Sequence, residues 1–138
     1  MYDRTLRARA LFDMQIDCLK RDDRDRQMQL YAEDLVYEFP FATDRPRRIE
    51  GRDAFLAVMK PLWERVRAQG VKIADIRTQV HETGDPDFIV AEFAFAVDTG
   101  GDTVDFPFVQ LFWTRGGKIA AVREYFSPRA RAETLGEG

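Results

Sequence analysis

Apolar residues recur every three to four positions in two stretches of the N-terminal half, a spacing typical of helices with one buried face. The first stretch runs from Thr5 to Lys20, and Gln15 lies at the edge of its apolar stripe. The second begins after Asp53, which we expect to cap it, and ends at Gly70. A short helix between them, capped by Asp23 or Asp25, completes three predicted helices.

Alternation of apolar and polar residues predicts strands in the remainder of the chain. The first strand, Val36 to Phe41, is rich in aromatic residues and contains Pro40, which suggests a sheet edge or a strand end. A loop covers Thr43 to Arg48. Four longer strands follow after short turns, at about Lys72–Glu82, Phe88–Val97, Thr103–Thr114 and Lys118–Phe126.

This order of elements predicts an α+β fold, with three helices packed on one face of a mostly antiparallel sheet. A chain of 138 residues is large enough for one domain with a full core and a ligand cavity, so residues 1–138 are assigned to a single domain.

Composition narrows the functional classes. The chain is 45% hydrophobic and 33% charged, as ordinary globular proteins are, and its net charge of −3 gives no reason to expect nucleic acid or anionic membrane as a partner. No apolar run approaches the roughly 20 residues that cross a bilayer. The single Cys18 reads as a core residue and cannot form an internal disulfide, and the N-terminus lacks a signal peptide pattern. A cytoplasmic location is therefore expected.

The last predicted strand carries Glu124 among apolar neighbours. It shares a strand face with Val122 and Phe126, so it faces the interior if they do. A carboxyl group in an apolar cavity has a raised pKa because desolvation penalises its charged form, and it can then transfer protons near neutral pH. Two other interpretations stay open: a buried structural Glu paired with an Arg, or an exposed Glu if the register is inverted.

Other polar residues give weaker signals. The only histidine, His81, lies at a strand end and is expected to face solvent or a dimer partner, with no second metal ligand at a recognisable spacing. The basic loop Arg45–Arg48 either steers an anionic substrate or is simply solvated. Gln110 is a weaker candidate for the cavity. No cofactor or metal is expected.

Three segments at characteristic spacings resemble the NTF2-like superfamily, in particular its SnoaL-like and ketosteroid-isomerase-like branch. They are Leu30-Tyr31-Ala32-Glu33-Asp34, Ile49-Glu50-Gly51-Arg52-Asp53-Ala54, and Gly117-Lys118-Ile119 with Arg123-Glu124-Tyr125-Phe126. The segment Val80–Phe88 also looks like the phenazine-biosynthesis subgroup. The resemblance implies a cone-shaped domain in which helices and a highly curved sheet enclose an apolar cavity. It also implies dimers formed through the outer sheet face.

The catalytic residues of ketosteroid isomerases are not matched. Their general-base Asp falls on Phe39, and their two oxyanion donors fall at about Gln15 and Val109. Steroid enolisation by that mechanism is therefore not expected.

Two other branches are matched in part. Of the limonene-epoxide-hydrolase set, Tyr37 is retained and Glu124 stands for the last Asp, whereas the Asn falls on Phe39 and the Arg-x-Asp pair on Phe93 and Phe95. The phenazine enzymes carry a Glu that matches Glu124, but their helix-three His falls on Val58.

The resemblance and the strand pattern together give the predicted site. Glu124 and Tyr37 are the predicted catalytic residues, with Tyr37 donating a hydrogen bond to a ligand oxygen. The predicted substrate-binding residues are Gln15, Phe39, Phe41, Phe55, Met59, Trp63, Phe93, Phe95, Val109 and Val122.

Three functional hypotheses remain. The first is a cofactor-independent isomerase, cyclase or dehydratase acting on a hydrophobic small molecule. The second is a non-catalytic binding or carrier protein with the same cavity. The third is a dimeric assembly module whose cavity is filled by Phe39, Phe93 and Phe95. In each case a homodimer is expected through the outer sheet face, to which the pattern assigns Phe108, Gln110, Phe112, Arg123 and Tyr125.

Overall fold

The computed structural model describes residues 3–127 and has the predicted α+β architecture. Three helices are interleaved with the strands of one curved, open sheet. The elements in chain order are α1 Ala8–Lys20, α2 Arg24–Gln29, β1 Tyr31–Glu38, β2 Arg48–Glu50, α3 Arg52–Ala68, β3 Lys72–Glu82, β4 Phe88–Asp98, β5 Thr103–Arg115 and β6 Lys118–Phe126.

The sheet has six strands in the order β2-β1-β6-β5-β4-β3. Strands β3 to β6 form an antiparallel meander, and β1 joins it by pairing parallel to β6. Helix α1 packs across β3, β4, β5 and β6, while α3 packs on β1 and β2. The core and a cavity therefore lie between the helices and one sheet face, called here the inner face.

Several element boundaries differ from the sequence prediction. Strand β1 starts at Tyr31 and ends at Glu38, before Pro40, whose ring removes the amide hydrogen that a strand needs. The short strand β2, which the sequence did not predict, pairs with β1. It occupies the end of the predicted loop and the residues just before α3. Helix α3 starts at Arg52 after Gly51, with Asp53 in its first turn and no side-chain cap.

Other boundary predictions are confirmed. Asp23 caps α2, because its carboxylate accepts a hydrogen bond from the Arg26 amide at 3.1 Å. Gly70 follows α3 at a φ of 75°, a left-handed conformation that suits glycine at a helix end. Pro61 lies within an otherwise continuous α3.

The predicted orientation of β5 is wrong. Gln110 pairs with Glu124 and Phe112 with Val122, so Phe108, Gln110 and Phe112 share the inner face with Glu124. The outer face instead carries Val109, Leu111, Trp113, Arg123 and Tyr125. Both faces of β5 are apolar, so alternation alone could not decide between them.

The helices described between residues 3 and 127 are too short or too polar to cross a membrane.

Candidate active site

A cavity of about 480 Å³ lies between the inner sheet face and the helices. Its walls are mainly aromatic and aliphatic, and the exposed residues Asp22, Arg67 and Lys72 mark its open end. The apolar lining residues are Leu19, Phe55, Met59, Leu62, Trp63, Val66, Val71, Ile73, Phe93, Phe95, Val97, Phe106 and Phe108.

Glu124 lines this cavity and is half-buried. Its Oε1 atom accepts a hydrogen bond from the Tyr37 hydroxyl at 3.0 Å and another from Gln110 Nε2 at 2.7 Å. Gln110 Nε2 also lies 3.1 Å from the Tyr37 oxygen. Three strands thus bring the three groups together, because β5 and β6 place Gln110 opposite Glu124 and β1 places Tyr37 opposite Val122.

Tyr37 is held by ring contacts on two sides. Its ring stacks on Phe55 at a centroid distance of 4.4 Å and contacts Phe39 at 4.7 Å. Burial, and then the negative charge of Glu124, raise the pKa of Tyr37 well above its ordinary value. The hydroxyl therefore stays protonated at neutral pH and serves as a hydrogen-bond donor.

A row of hydrogen-bonded polar side chains leads from Arg24 to Glu124 and is called here the polar chain. Its members are Arg24, Gln27, Tyr31, Gln15 and Gln110. Gln15 Nε2 donates to Gln110 Oε1 at 3.2 Å, and the Tyr31 hydroxyl donates to Gln15 Oε1 at 3.1 Å. Gln27 Nε2 donates to the Tyr31 hydroxyl at 3.1 Å, and Arg24 Nη1 donates to Gln27 Oε1 at 3.0 Å. These hydrogen bonds link Glu124 on β6 to the Arg24 guanidinium on α2.

The basic loop between β1 and β2 contributes a buried cation. The Arg45 side chain is only 4% exposed, lines the cavity and forms two short contacts with the Asp44 carboxylate, at 2.8 and 2.9 Å. Its guanidinium lies over the rings of Phe39 and Phe126. Arg45 is therefore part of the cavity wall, whereas Arg47 and Arg48 are exposed.

The arrangement around Glu124 suits proton transfer. Burial disfavours the charged carboxylate, while two hydrogen bonds donated to one of its oxygens favour it. A carboxyl group is chemically able to act as a general acid or base at such a position. Tyr37 has a single hydroxyl hydrogen, so it can donate to a ligand oxygen only in place of Glu124.

The structure brings most of the predicted site residues to the cavity. Lining it are Glu124, Tyr37, Gln15, Phe55, Met59, Trp63, Phe93 and Phe95. Phe39 and Val122 are fully buried in the core beside it and are not among its lining residues.

Two predicted residues lie away from the cavity. Phe41 is 59% exposed and contacts Tyr125, because the chain turns after β1 ends at Glu38 and the alternation stops there. Val109 lies on the outer face, opposite Tyr125, because β5 presents the other set of side chains inward.

Sequence reasoning missed Arg24, Gln27 and Tyr31 as members of the polar chain, and Phe106 and Phe108 as cavity walls. The alternation of Phe106, Phe108 and Gln110 was a usable signal, once β5 is oriented correctly. His81 is exposed on the outer side and its Nε2 atom lies 2.7 Å from Glu92 Oε2. Between residues 3 and 127 no group of three or more His, Cys, Asp or Glu side chains could hold a metal ion.

Alkaline pH is expected to destabilise the fold through the two buried tyrosines. Burial raises the pKa of both Tyr31 and Tyr37, so above about pH 10 the unfolded chain releases protons that the folded chain retains. The two tyrosines contribute fully to the free energy of unfolding below that pH. As the pH rises further, this contribution falls by up to about 1.4 kcal/mol per pH unit for each tyrosine. Urea denaturation between about pH 8 and pH 11 should show a shallower decline in the Y31F/Y37F double variant. Equal slopes would contradict this assignment.

The sequence model of the SnoaL-like domain family matches residues 12–122. The chain therefore belongs to the SnoaL-like domain family.

Relatives and solved structures agree with this assignment. An uncharacterised PhzA/B-like protein of Pseudomonas aeruginosa is 28% identical over 135 residues, which cover 95% of this chain and 92% of the relative. A proposed isomerase of Bacillus subtilis has a crystal structure that superposes with a TM-score of 0.78 at 24% identity, covering 95% of this chain and 94% of that one. A proposed polyketide cyclase of Pseudomonas putida KT2440 gives 0.66 at 23% identity, with 94% and 98% covered. At these identities the two structures support the fold alone.

Proposed function

We propose that the protein is a cofactor-independent enzyme of the isomerase, cyclase or dehydratase type that acts on a hydrophobic small molecule. Glu124 accepts or returns a proton on the ligand, and Tyr37 turns its hydroxyl from Glu124 to polarise a ligand oxygen. The supporting observation is the cavity carboxylate itself, since Glu124 receives hydrogen bonds from Tyr37 and Gln110 within a cavity whose walls are mainly apolar. The names of the isomerase and polyketide cyclase neighbours agree with this class of reaction.

The alternative is a binding or carrier protein that uses the same cavity. A carrier needs no proton-transfer group, and burying Glu124 and Gln110 in an apolar wall costs free energy that ligand binding alone does not require. The hydrogen-bonded carboxylate therefore favours the enzyme. The third hypothesis, a filled cavity, is disfavoured by the volume of about 480 Å³ and by Phe39, which packs outside the lining.

Ligand capture tests whether the cavity is a binding site. The protein is incubated with an extract of hydrophobic metabolites, and bound compounds are identified by native mass spectrometry. A compound retained by the wild-type protein should be lost in V66W, because Val66 lines the cavity and the indole fills part of it. E64W, on an exposed position of the same helix, is the control and should retain the compound. Equal retention by all three proteins would place binding elsewhere.

The outer sheet face supports a homodimer. Its half-buried Val109, Leu111, Trp113 and Tyr125, beside Arg123, combine large apolar groups with a polar neighbour, as protein interfaces do. This is the opposite set of β5 side chains from the one the sequence indicated, but its composition leads to the same proposal. A second copy of the chain placed here leaves the cavity on the other side of the sheet.

Sedimentation equilibrium at micromolar concentration should therefore give a species of twice the 16.0 kDa chain mass. L111E, which places a charge at the centre of this face, should shift the protein to monomer, because an unpaired charge in an interface is costly. K60E, at an exposed position of helix α3, is the control. A monomer with no concentration dependence would refute the dimer.

The free Cys18 is buried, and a cytoplasmic location stays a prediction.

A further inference from the structure

The polar chain has a single direction along its whole length. Each of its hydrogen bonds is donated by the member nearer Arg24 and accepted by the member nearer Glu124. Four of its members are almost completely buried, with exposures of 1% for Gln15 and Tyr31, 4% for Gln27 and 3% for Gln110. Bulk water therefore has little access to replace a bond that is lost within the chain.

The two ends explain this direction. A guanidinium can only donate hydrogen bonds, and an ionised carboxylate can only accept them. The glutamine amides and the tyrosine hydroxyl between them can do either. Because Arg24 cannot accept, Gln27 must turn its oxygen towards Arg24, and each following member is then oriented in turn until the Gln110 NH₂ group faces Glu124.

The direction of the chain matches Glu124 Oε1 as a hydrogen-bond acceptor. A proton on Glu124 Oε1 would offer an O–H donor, which Gln110 could accept only by turning its amide over. After that rotation the NH₂ groups of Gln110 and Gln15 would face each other, and two donors cannot form a hydrogen bond. Every other member as far as Gln27 would then have to reverse its hydrogen bonds, and Arg24 has no acceptor for the reversed Gln27 amide. An unmade buried hydrogen bond is costly, so a proton on Glu124 is directed to Oε2, which leaves Oε1 as a neutral carbonyl oxygen. A neutral oxygen accepts the hydrogen bond from Gln110 more weakly than a carboxylate oxygen does, so the chain favours the ionised form.

Arg24 is held in place for this role. Its guanidinium carbon lies 4.2 Å from the centre of the Trp63 ring, and its Nε atom lies 3.6 Å from Asp22 Oδ1. Its side chain is only 25% exposed. These contacts fix the guanidinium where Nη1 meets Gln27, so the donor end of the chain does not depend on a mobile surface side chain.

We propose that Arg24 is a positioning residue for Glu124, which acts through Gln27, Tyr31, Gln15 and Gln110 to fix the Gln110 amide and hold Glu124 in its ionised, proton-accepting form. The catalytic consequence rests on the proposed function. The effect on Glu124 itself does not, because it is a property of the protein without ligand.

Other charges also act on Glu124 and must be separated from the chain. Tyr37 and Tyr31 face it from β1, and Arg45 lines the same cavity from the loop after β1. Asp22, Arg67 and Lys72 line the open end. Since Arg24 is itself a cation, removing it would alter the titration of Glu124 through space as well as through the chain.

The test is a titration of the Glu124 side-chain carboxyl by ¹³C NMR in the ligand-free protein. In R24Q the donor-only end is lost, and the midpoint should rise by about half a pH unit or more. R24K keeps a donor-only cation and should stay closer to the wild type than R24Q. Y31F keeps every charge and breaks the chain in the middle, so its midpoint should also rise. Q15M breaks the chain at the next member and should do the same, which keeps the test decisive if Y31F does not fold.

An unchanged midpoint in the chain-breaking variants would overturn the proposal, whether or not R24Q moves, because Arg24 would then act only through its charge or not at all. The titration needs no turnover. A protein without enzymatic activity can therefore satisfy this test, and an active enzyme can fail it.

Discussion

Replacing Glu124 with Gln is expected to lower turnover of the captured ligand by about 10²–10⁴-fold, the usual contribution of a general acid or base. Ligand affinity should stay within about tenfold, roughly 1.4 kcal/mol, because the amide has nearly the same shape as the carboxyl group. Its oxygen can still accept hydrogen bonds from Tyr37 and Gln110. What the amide cannot do is accept a proton at neutral pH.

Single-turnover kinetics with a separate binding measurement would distinguish the two effects. E124D is the matched control, since it keeps a carboxylate but shortens its reach, and it should retain part of the activity. Full activity in E124Q would remove Glu124 from the mechanism.

Replacing Phe112 with Ala should destabilise the fold by about 3–5 kcal/mol. Phe112 is completely buried, and its ring meets Phe12 of α1 edge-on at a centroid distance of 5.6 Å. The contact lies close to the pair Gln15 and Gln110, so it also fixes the distance between α1 and β5 at the polar chain.

Urea denaturation gives the free energy of unfolding directly. F41A is the control, because Phe41 is 59% exposed and its loss should cost about 1 kcal/mol or less. A loss below about 1 kcal/mol in F112A would show that this contact is not part of the core.

The helices and the long strands could be predicted because each has a clear apolar period. Strands β3 and β6 begin and end where alternation and turn residues indicated. The inward direction of Glu124 followed from Val122 and Phe126, both of which are buried. These are local features, and local patterns are what a sequence displays most directly.

The orientation of β5 could not be predicted in the same way. Its two faces carry Phe108 and Phe112 on one side and Leu111 and Trp113 on the other, so neither is marked as polar. The register shifts between Trp113 and Thr114, just before the turn into β6. A shift of one residue exchanges the two faces of a strand. Gln110 therefore lies on the same side as Glu124, and not on the outer face that the sequence predicted.

The polar chain was beyond local reasoning for a different reason. Gln15 and Gln110 are 95 positions apart in sequence, and Tyr37 and Glu124 are 87 apart. Only the packing of α1 on the sheet and the parallel pairing of β1 with β6 bring them together. The inward position of Arg45 could not be predicted either, because a run of charged residues in a loop does not show which one turns inward.

The most direct test of proton transfer by Glu124 is deuterium incorporation into the ligand that the wild-type protein captures. The compound is incubated in D₂O with wild-type protein, with E124Q or without protein, and then analysed by mass spectrometry. Transfer by Glu124 predicts deuterium uptake or conversion only with the wild-type protein, while E124Q binds the compound and returns it unchanged. Recovery of the compound unchanged from the wild-type protein, or equal exchange by both proteins, would contradict the proposed role of Glu124.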